Sequence, residues 1–183
     1  MQQVNPVQMI QSIRPVDSIS ISQMKYIILL LVFLPSIAIA DPYTIESQIS
    51  VFSLKDQHYN QHEVDETTRL ILFSKDMKGG SIIRNGLKET YRNYLSNHNT
   101  VFVADISGMP GLIRKFVALP KMRKYPYSIL LDMVSSVTKD FPSQPDKATL
   151  IYVRNLRITD IQYIENPDLI RPAIDGFSPI HLE

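Results

Sequence analysis

Between residues 74 and 82 the chain reads Ser74-Lys75-Asp76-Met77-Lys78-Gly79-Gly80-Ser81-Ile82, a set of side chains able to hold or attack a small polar group. Two consecutive glycines let the backbone turn tightly. A helix opening at that point leaves unpaired N–H groups directed at an anion or carboxylate, with Lys75 or Lys78 supplying positive charge. A plainer use is also open, because Gly80 or Ser81 can simply cap the helix. Ser81 as a nucleophile would need a histidine or lysine base and an orienting group, and no G-x-S-x-G or S-x-x-K pattern surrounds it. The polar turn Asp105-Ile106-Ser107-Gly108 joins the same site if the fold brings the carboxyl ends of neighbouring strands together.

Other constellations read more weakly. His58 and His62, near Glu63 and Asp65, would share one face only on a helix. Their polar flanks and Asn60 point to a hairpin turn instead, so solvated loop histidines and no metal site are expected. Arg114, Lys115, Lys121, Arg123 and Lys124 are interrupted by Phe116 to Pro120 and read as a solvated helix end. Tyr125 and Tyr127, flanking Pro126, suit strand-edge packing or a surface contact. The chain has no cysteine, which removes disulfides, thiolate nucleophiles, Cys-ligated zinc and iron–sulfur clusters. Neither G-x-G-x-x-G nor a Walker A motif occurs, so the usual nucleotide phosphate cradles are missing. Net charge is +1, which offers no overall electrostatic case for nucleic acid or an anionic membrane as the main partner.

Among the elements that must position these residues, Ile49 to Leu54 alternates as a short strand, and Leu70 to Phe73 is a strand buried on both faces. Ile83, Leu87, Tyr91 and Leu95 recur at spacing four, predicting a helix from beyond Gly79-Gly80 to about Ser96. Val101 to Ala104 is a further strand. Pro110 then opens a helix with Leu112, Ile113, Phe116 and Val117 as its apolar face. Tyr127 to Leu131 is a strand, and 134–141 has no clear assignment. Ala148 to Val153 and Arg157 to Ile164 form an antiparallel hairpin across a very short connection. A last helix has Asn166 as N-cap, Pro167 first, Leu169, Ile170, Ala173 and Ile174 as apolar face, and Gly176 past its end. Crossover helices imply parallel neighbours, and the hairpin adds an antiparallel edge.

Several of these segments resemble the thioredoxin-like superfamily. Phe52-Ser53-Leu54-Lys55-Asp56-Gln57 resembles the F-x-L-x-D-Q opening of peroxiredoxins and periplasmic thioredoxin-like reductases. Phe73 to Ser81 resembles the peroxiredoxin strand-to-helix segment, and Lys147-Ala148-Thr149-Leu150-Ile151 its R-x-T-F-x strand. The K-D register puts Ser81 where peroxiredoxins have their peroxidatic cysteine. A C-x-x-C register puts Lys78 and Ser81 at the two thioredoxin cysteine positions, with Lys147 in place of the cis-proline. Tyr125-Pro126-Tyr127-Ser128 and Asp132 resemble cysteine-poor exported proteins of the YtfJ type. The resemblance implies a thioredoxin-like three-layer α/β/α sandwich, with a mixed central sheet and a C-terminal hairpin plus helix. It adds Lys147 to the candidate ligand-binding set of Lys75, Asp76, Lys78, Gly79, Gly80, Ser81, Asp105 and Ser107.

A serine or lysine cannot replace a polarizable thiolate in peroxide reduction or disulfide exchange. The expected function is therefore a binding module for a protein, a peptide or a small anionic ligand, with no cofactor. The same resemblance extends to some proteins described as FAD/FMN-containing dehydrogenases, so an oxidoreductase using FMN or FAD is the alternative, although no motif here supports it. Before the domain, Lys25, the apolar run Tyr26 to Leu34 and Ala38-Ile39-Ala40 form a secretory signal pattern over 24–40. The polar leader 1–23 suggests translation from Met24. The domain is expected over 41–183, periplasmic or secreted, without a stable membrane span once the signal is cleaved.

Overall fold

The computed structural model describes residues 42–176, and the leader and signal sequence expected over 1–40 lie outside them. Seven strands form one mixed sheet: β1 (Phe52–Asp56), β2 (Gln61–Val64), β3 (Leu70–Ser74), β4 (Thr100–Asp105), β5 (Leu130–Asp132), β6 (Ala148–Arg154) and β7 (Arg157–Ile164). Their spatial order is β2-β1-β5-β4-β3-β6-β7. β3, β4 and β5 are parallel neighbours, and the remaining pairings are antiparallel. The helices are α1 (Met77–Gly86), α2 (Tyr94–Asn97), α3 (Gly111–Ile113), α4 (Leu119–Met122) and α5 (Ile170–Asp175). A π-helical turn, Arg114–Ala118, joins α3 to α4.

Every residue of β3 is buried, and its side chains divide between two cores as the two-residue period of a strand requires. Leu70 and Leu72 meet Ile82, Ile83, Leu119, Met122, Ile170 and Ile174 on the helical face. Ile71 and Phe73 meet Ile49, Val103, Phe141, Ile151 and Ile158 on the other. Because β3, β4 and β5 follow one another across the sheet, both crossovers lie on the helical face. The opposite face is closed by the segment from Tyr43 to Ile49 and by the 3-10 turn Thr138–Asp140, where the rings of Tyr43, Phe52 and Phe73 surround Phe141 at 5.2–6.0 Å. This is the thioredoxin-like α/β sandwich with a mixed central sheet, its second outer layer reduced to one helical turn and a loop. The hairpin and closing helix fall where the sequence places them, with Asn166 Oδ1 accepting from the Asp168 N–H at 2.9 Å.

Four local expectations are corrected. Gly79 and Gly80 lie inside α1, because Asp76 caps it three residues ahead of Gly79. The same helix stops at Gly86 instead of Ser96. A Cβ at Gly86 would lie 2.5 Å from the Ile170 side chain, so this is where α5 crosses, and Tyr91 is consequently exposed. Leu112, Ile113, Phe116 and Val117 face outward, and Leu119 and Met122 are buried in their stead. The π turn is the reason, since an i to i+5 turn takes up extra chain and rotates the following residues relative to an α register. The strand at 127–131 pairs only from Leu130, because the buried Gln57 side chain takes the place of a partner strand. Its Nε2 donates to the Tyr127 carbonyl and its Oε1 accepts from the Ile129 N–H, both at 2.8 Å. Finally, β2 adds a strand that the sequence pattern did not reveal.

Candidate functional site

The carboxyl ends of β3, β4 and β5 lie side by side, with Ser74 opposite Ala104 and Asp105 opposite Asp132. Asp105 is buried there, its side chain only 2% exposed, and Lys75 Nζ donates to its Oδ2 at 2.6 Å. The Ser135 hydroxyl donates to the same oxygen at 2.8 Å, and the Ser107 N–H to Oδ1 at 2.9 Å. Burial pushes this carboxyl up, but hydrogen bonds from Lys75, Ser107 and Ser135 outweigh it and hold the group well below the usual carboxylate range. Next to it, buried Asp132 collects the N–H groups of Val134, Ser136, Val137 and Thr138, and the Thr138 hydroxyl, at 2.8–3.2 Å. Burial again opposes ionisation and the backbone donors again win, lowering its pKa. Four backbone amides of one short loop thus converge on a single carboxylate, and the loop leaves Val134 exposed.

Asp76 organises the other half of the edge. Its Oδ1 accepts from the Gly79 N–H at 2.8 Å, and its Oδ2 from the Asp146 N–H at 2.9 Å. The 145–147 loop is thereby tied over the start of α1, so closely that a Cβ at Gly79 would lie 2.3 Å from the Lys147 carbonyl oxygen. Glycine is used here for close backbone approach, not for a turn. Lys78 is exposed and 3.4 Å from Asp146. Lys147 pairs with Glu165 at 3.0 Å. Ser81 Oγ accepts from Arg84 Nη2 at 2.8 Å, so a cation, not a base, faces the hydroxyl, and nothing there activates it as a nucleophile.

The edge thus gathers Lys75, Asp105 and Ser107 in one network and Asp76, Lys78 and Gly79 in a second, with the Lys147 backbone packed against Gly79 and its side chain turned to Glu165. Gly80 and Ser81 are directed toward Arg84. Sequence reasoning named Asp132 for a resemblance without placing it at this edge, and missed Ser135, Asp146 and Arg84. Arg84 was accessible, since a residue three positions from Ser81 shares its helix face. The pairing of Ser135 with Asp105 spans the crossover from β4 to β5 and left no local trace. Two large apolar side chains complete the edge: Met77, on the segment leaving β3, and Val134, on the segment leaving β5, are 78% and 75% exposed.

At the opposite edge, an open groove of about 780 Å³ runs between the β1–β2 hairpin, the start of β4 and the chain before β5. Its hub is buried Asp56, whose Oδ1 accepts from the N–H groups of His58 and Asn60 and whose Oδ2 meets His62 Nε2 at 2.9 Å and Ser128 Oγ at 3.1 Å. His62 is therefore a strand residue tied to a carboxylate and not a solvated loop histidine. Burial raises the Asp56 pKa less than the His62 and backbone hydrogen bonds lower it, to about 2. Tyr125 and Tyr127 stack at 5.5 Å beside the groove, while the Tyr127 hydroxyl is buried with no hydrogen-bond partner.

No family model matches the sequence, and no curated protein matches it. Solved structures do match the fold. A candidate protein disulfide isomerase of Bacteroides thetaiotaomicron aligns over 73% of this chain and 87% of its own, with a TM-score of 0.50 and 12% identity. A peroxidoxin of Mycobacterium tuberculosis covers 72% of this chain and 94% of its own at a TM-score of 0.49 and 13% identity. A peroxiredoxin-like protein of Aquifex aeolicus covers 75% and 90% at 0.48 and 6%. The chain has the thioredoxin-like fold and, with no cysteine in its sequence, has no thiol with which to perform that fold's familiar redox chemistry. Among the described residues no helix is long and apolar enough to cross a membrane.

Proposed function

We propose that this domain is an exported, non-redox binding module that holds a peptide segment or protein surface at the carboxyl edge of its parallel strands. The observation that carries this reading is the pair of exposed apolar side chains, Met77 and Val134, mounted on segments anchored by Asp76 and Asp132. Exposed apolar groups on a rigid frame suit another polypeptide. A small anion suits the edge less well. The Asp76 carboxylate already accepts from Gly79 N–H, and Lys75 is matched by Asp105, so positive potential at the start of α1 is already offset. Export rests on the signal pattern from Lys25 to Ala40, and kinship with YtfJ-type proteins on Tyr125-Pro126-Tyr127-Ser128 and Asp132.

Selection from a random peptide library, followed by fluorescence anisotropy on the selected peptides, tests the site. Met77→Glu with Val134→Glu is expected to weaken binding at least tenfold, with thermal stability unchanged because both side chains are exposed. Undiminished binding by the double variant contradicts the assignment. The same preparation is expected to show no melting shift with FMN or FAD, and intact mass is expected to place the mature N-terminus at Asp41.

A further inference from the structure

The outward face of the α3–α4 segment is unlike the rest of the surface. Leu112, Ile113, Phe116 and Val117 are 50–75% exposed and follow one another at helical spacing, so they form a continuous apolar ridge. Their exposure is built in. The π turn at Arg114–Ala118 places Leu119 and Met122 in the core and so fixes the segment with its ridge outward. Single exposed apolar residues are ordinary, but four on one helix turn and the next are not.

The segment that carries this ridge has charge of one sign. From Ile106 to Leu131 the chain carries five of its 19 lysines and arginines and none of its 18 acidic residues. Two of the five are spent internally, Arg114 on the Met133 carbonyl and Arg123 on the Gln57 carbonyl and the Tyr59 ring. Lys115, Lys121 and Lys124 are exposed and make no ion pair among the described residues. Lys115 lies along Phe116, its Nζ 5.5 Å from the ring centroid. The chain's near-neutral total conceals this patch.

We infer that the α3–α4 ridge is an interfacial anchor that seats the domain on a bilayer containing anionic lipid. Apolar side chains of a helix lying in the membrane plane enter the boundary between headgroups and acyl chains, and flanking lysines reach up to anionic headgroups. Four exposed apolar side chains beside free lysines match the two layers of such a surface, acyl chains below and anionic headgroups above. Three free lysines and four apolar side chains make a reversible contact and not an irreversible insertion. The ridge is separate from Met77 and Val134, so the peptide site and the membrane anchor can fail independently.

The sequence contains no tryptophan, which makes Phe116→Trp a unique reporter in the full chain. With vesicles of phosphatidylglycerol and phosphatidylcholine, its emission is expected to shift to the blue and to be quenched by spin-labelled acyl chains. Pure phosphatidylcholine or 0.5 M salt is expected to remove most of the shift. In co-sedimentation with the same vesicles, Phe116→Glu and the double variant Lys115→Glu with Lys121→Glu are each expected to bind at least tenfold more weakly than the parent chain. Both leave the apolar run at Tyr26 to Leu34 untouched, so binding through that run would survive them. No blue shift, sedimentation unaffected by the variants, or tighter binding to polyglutamate than to vesicles would each overturn the inference.

Discussion

The two ends of the sheet solve the same problem with opposite results. Each has a buried aspartate whose oxygens are filled by neighbouring donors: Asp105 and Asp132 at the carboxyl edge, Asp56 at the amino edge. At the carboxyl edge those carboxylates pull in the loops after β4 and β5, the chain closes over itself, and the apolar side chains of Met77 and Val134 stay exposed beside Lys78. At the amino edge Asp56 pulls the β1–β2 hairpin to one side and leaves a polar groove of about 780 Å³. Size of concavity and suitability for a partner therefore separate in this molecule. The groove centres on Asp56, whose oxygens are already filled by His58, Asn60, His62 and Ser128, while the carboxyl edge offers exposed apolar side chains on anchored segments.

The sharpest way to break this comparison is to remove the carboxylate that orders the carboxyl edge. Asp132→Ala strips four backbone N–H groups of their acceptor, and at about 1–3 kcal/mol for each one left buried the expected loss is roughly 3–5 kcal/mol. Urea unfolding of this variant beside Asp56→Ala is expected to show the larger loss for Asp132. Equal or reversed losses would mean that the amino edge is the better-built one. Gly79→Ala is expected to cost about 2 kcal/mol, because its new methyl meets the Lys147 backbone, which cannot move without breaking the Asp76 clamp. A neutral result would show the 145–147 loop to be loosely held.

Acid acts on both edges at once. The folded pKa of Asp56 is about 2 against an ordinary 3.8, and those of Asp105 and Asp132 are also lowered. A depressed pKa stabilises the fold above the unfolded value and loses that contribution as pH falls. The urea midpoint is expected to be flat above about pH 5 and to drop between roughly pH 4 and 2, with Asp56 alone contributing on the order of 2 kcal/mol. Asp56→Asn should make the acid limb shallower. The smallest effect is expected at Tyr127→Phe, which removes a buried hydroxyl that has no partner and should leave stability unchanged or raised by up to about 1 kcal/mol. A clear loss would reveal a hydrogen bond to that hydroxyl.

Much of the frame was legible because it is written in local periodicity. The uninterrupted apolar runs at Leu70 to Phe73 and Val101 to Ala104 became central strands, and Asn166-Pro167 marked the last helix correctly. What escaped was decided by distant groups. Spacing four through Tyr91 and Leu95 looked helical, but α5 crossing at Gly86 ends α1 first. The apolar stripe from Leu112 to Val117 looked like a core face, and only a π turn tells that Leu119 and Met122 hold that place. At the candidate site, the residues at the strand ends could be named from the run itself. Their partners Ser135 and Asp146, 30 and 70 residues from Asp105 and Asp76, could not.

The most direct test of the central claim is backbone amide NMR during titration with a peptide selected for binding to the folded domain. The predicted result is shift changes confined to the carboxyl edge, at Met77 to Gly80, Val134 to Ser136 and Asp146 to Lys147, and their loss in the Met77→Glu, Val134→Glu variant. Changes centred instead on Asp56, His62, Tyr125 and Ser128 would move the site to the groove and contradict the assignment.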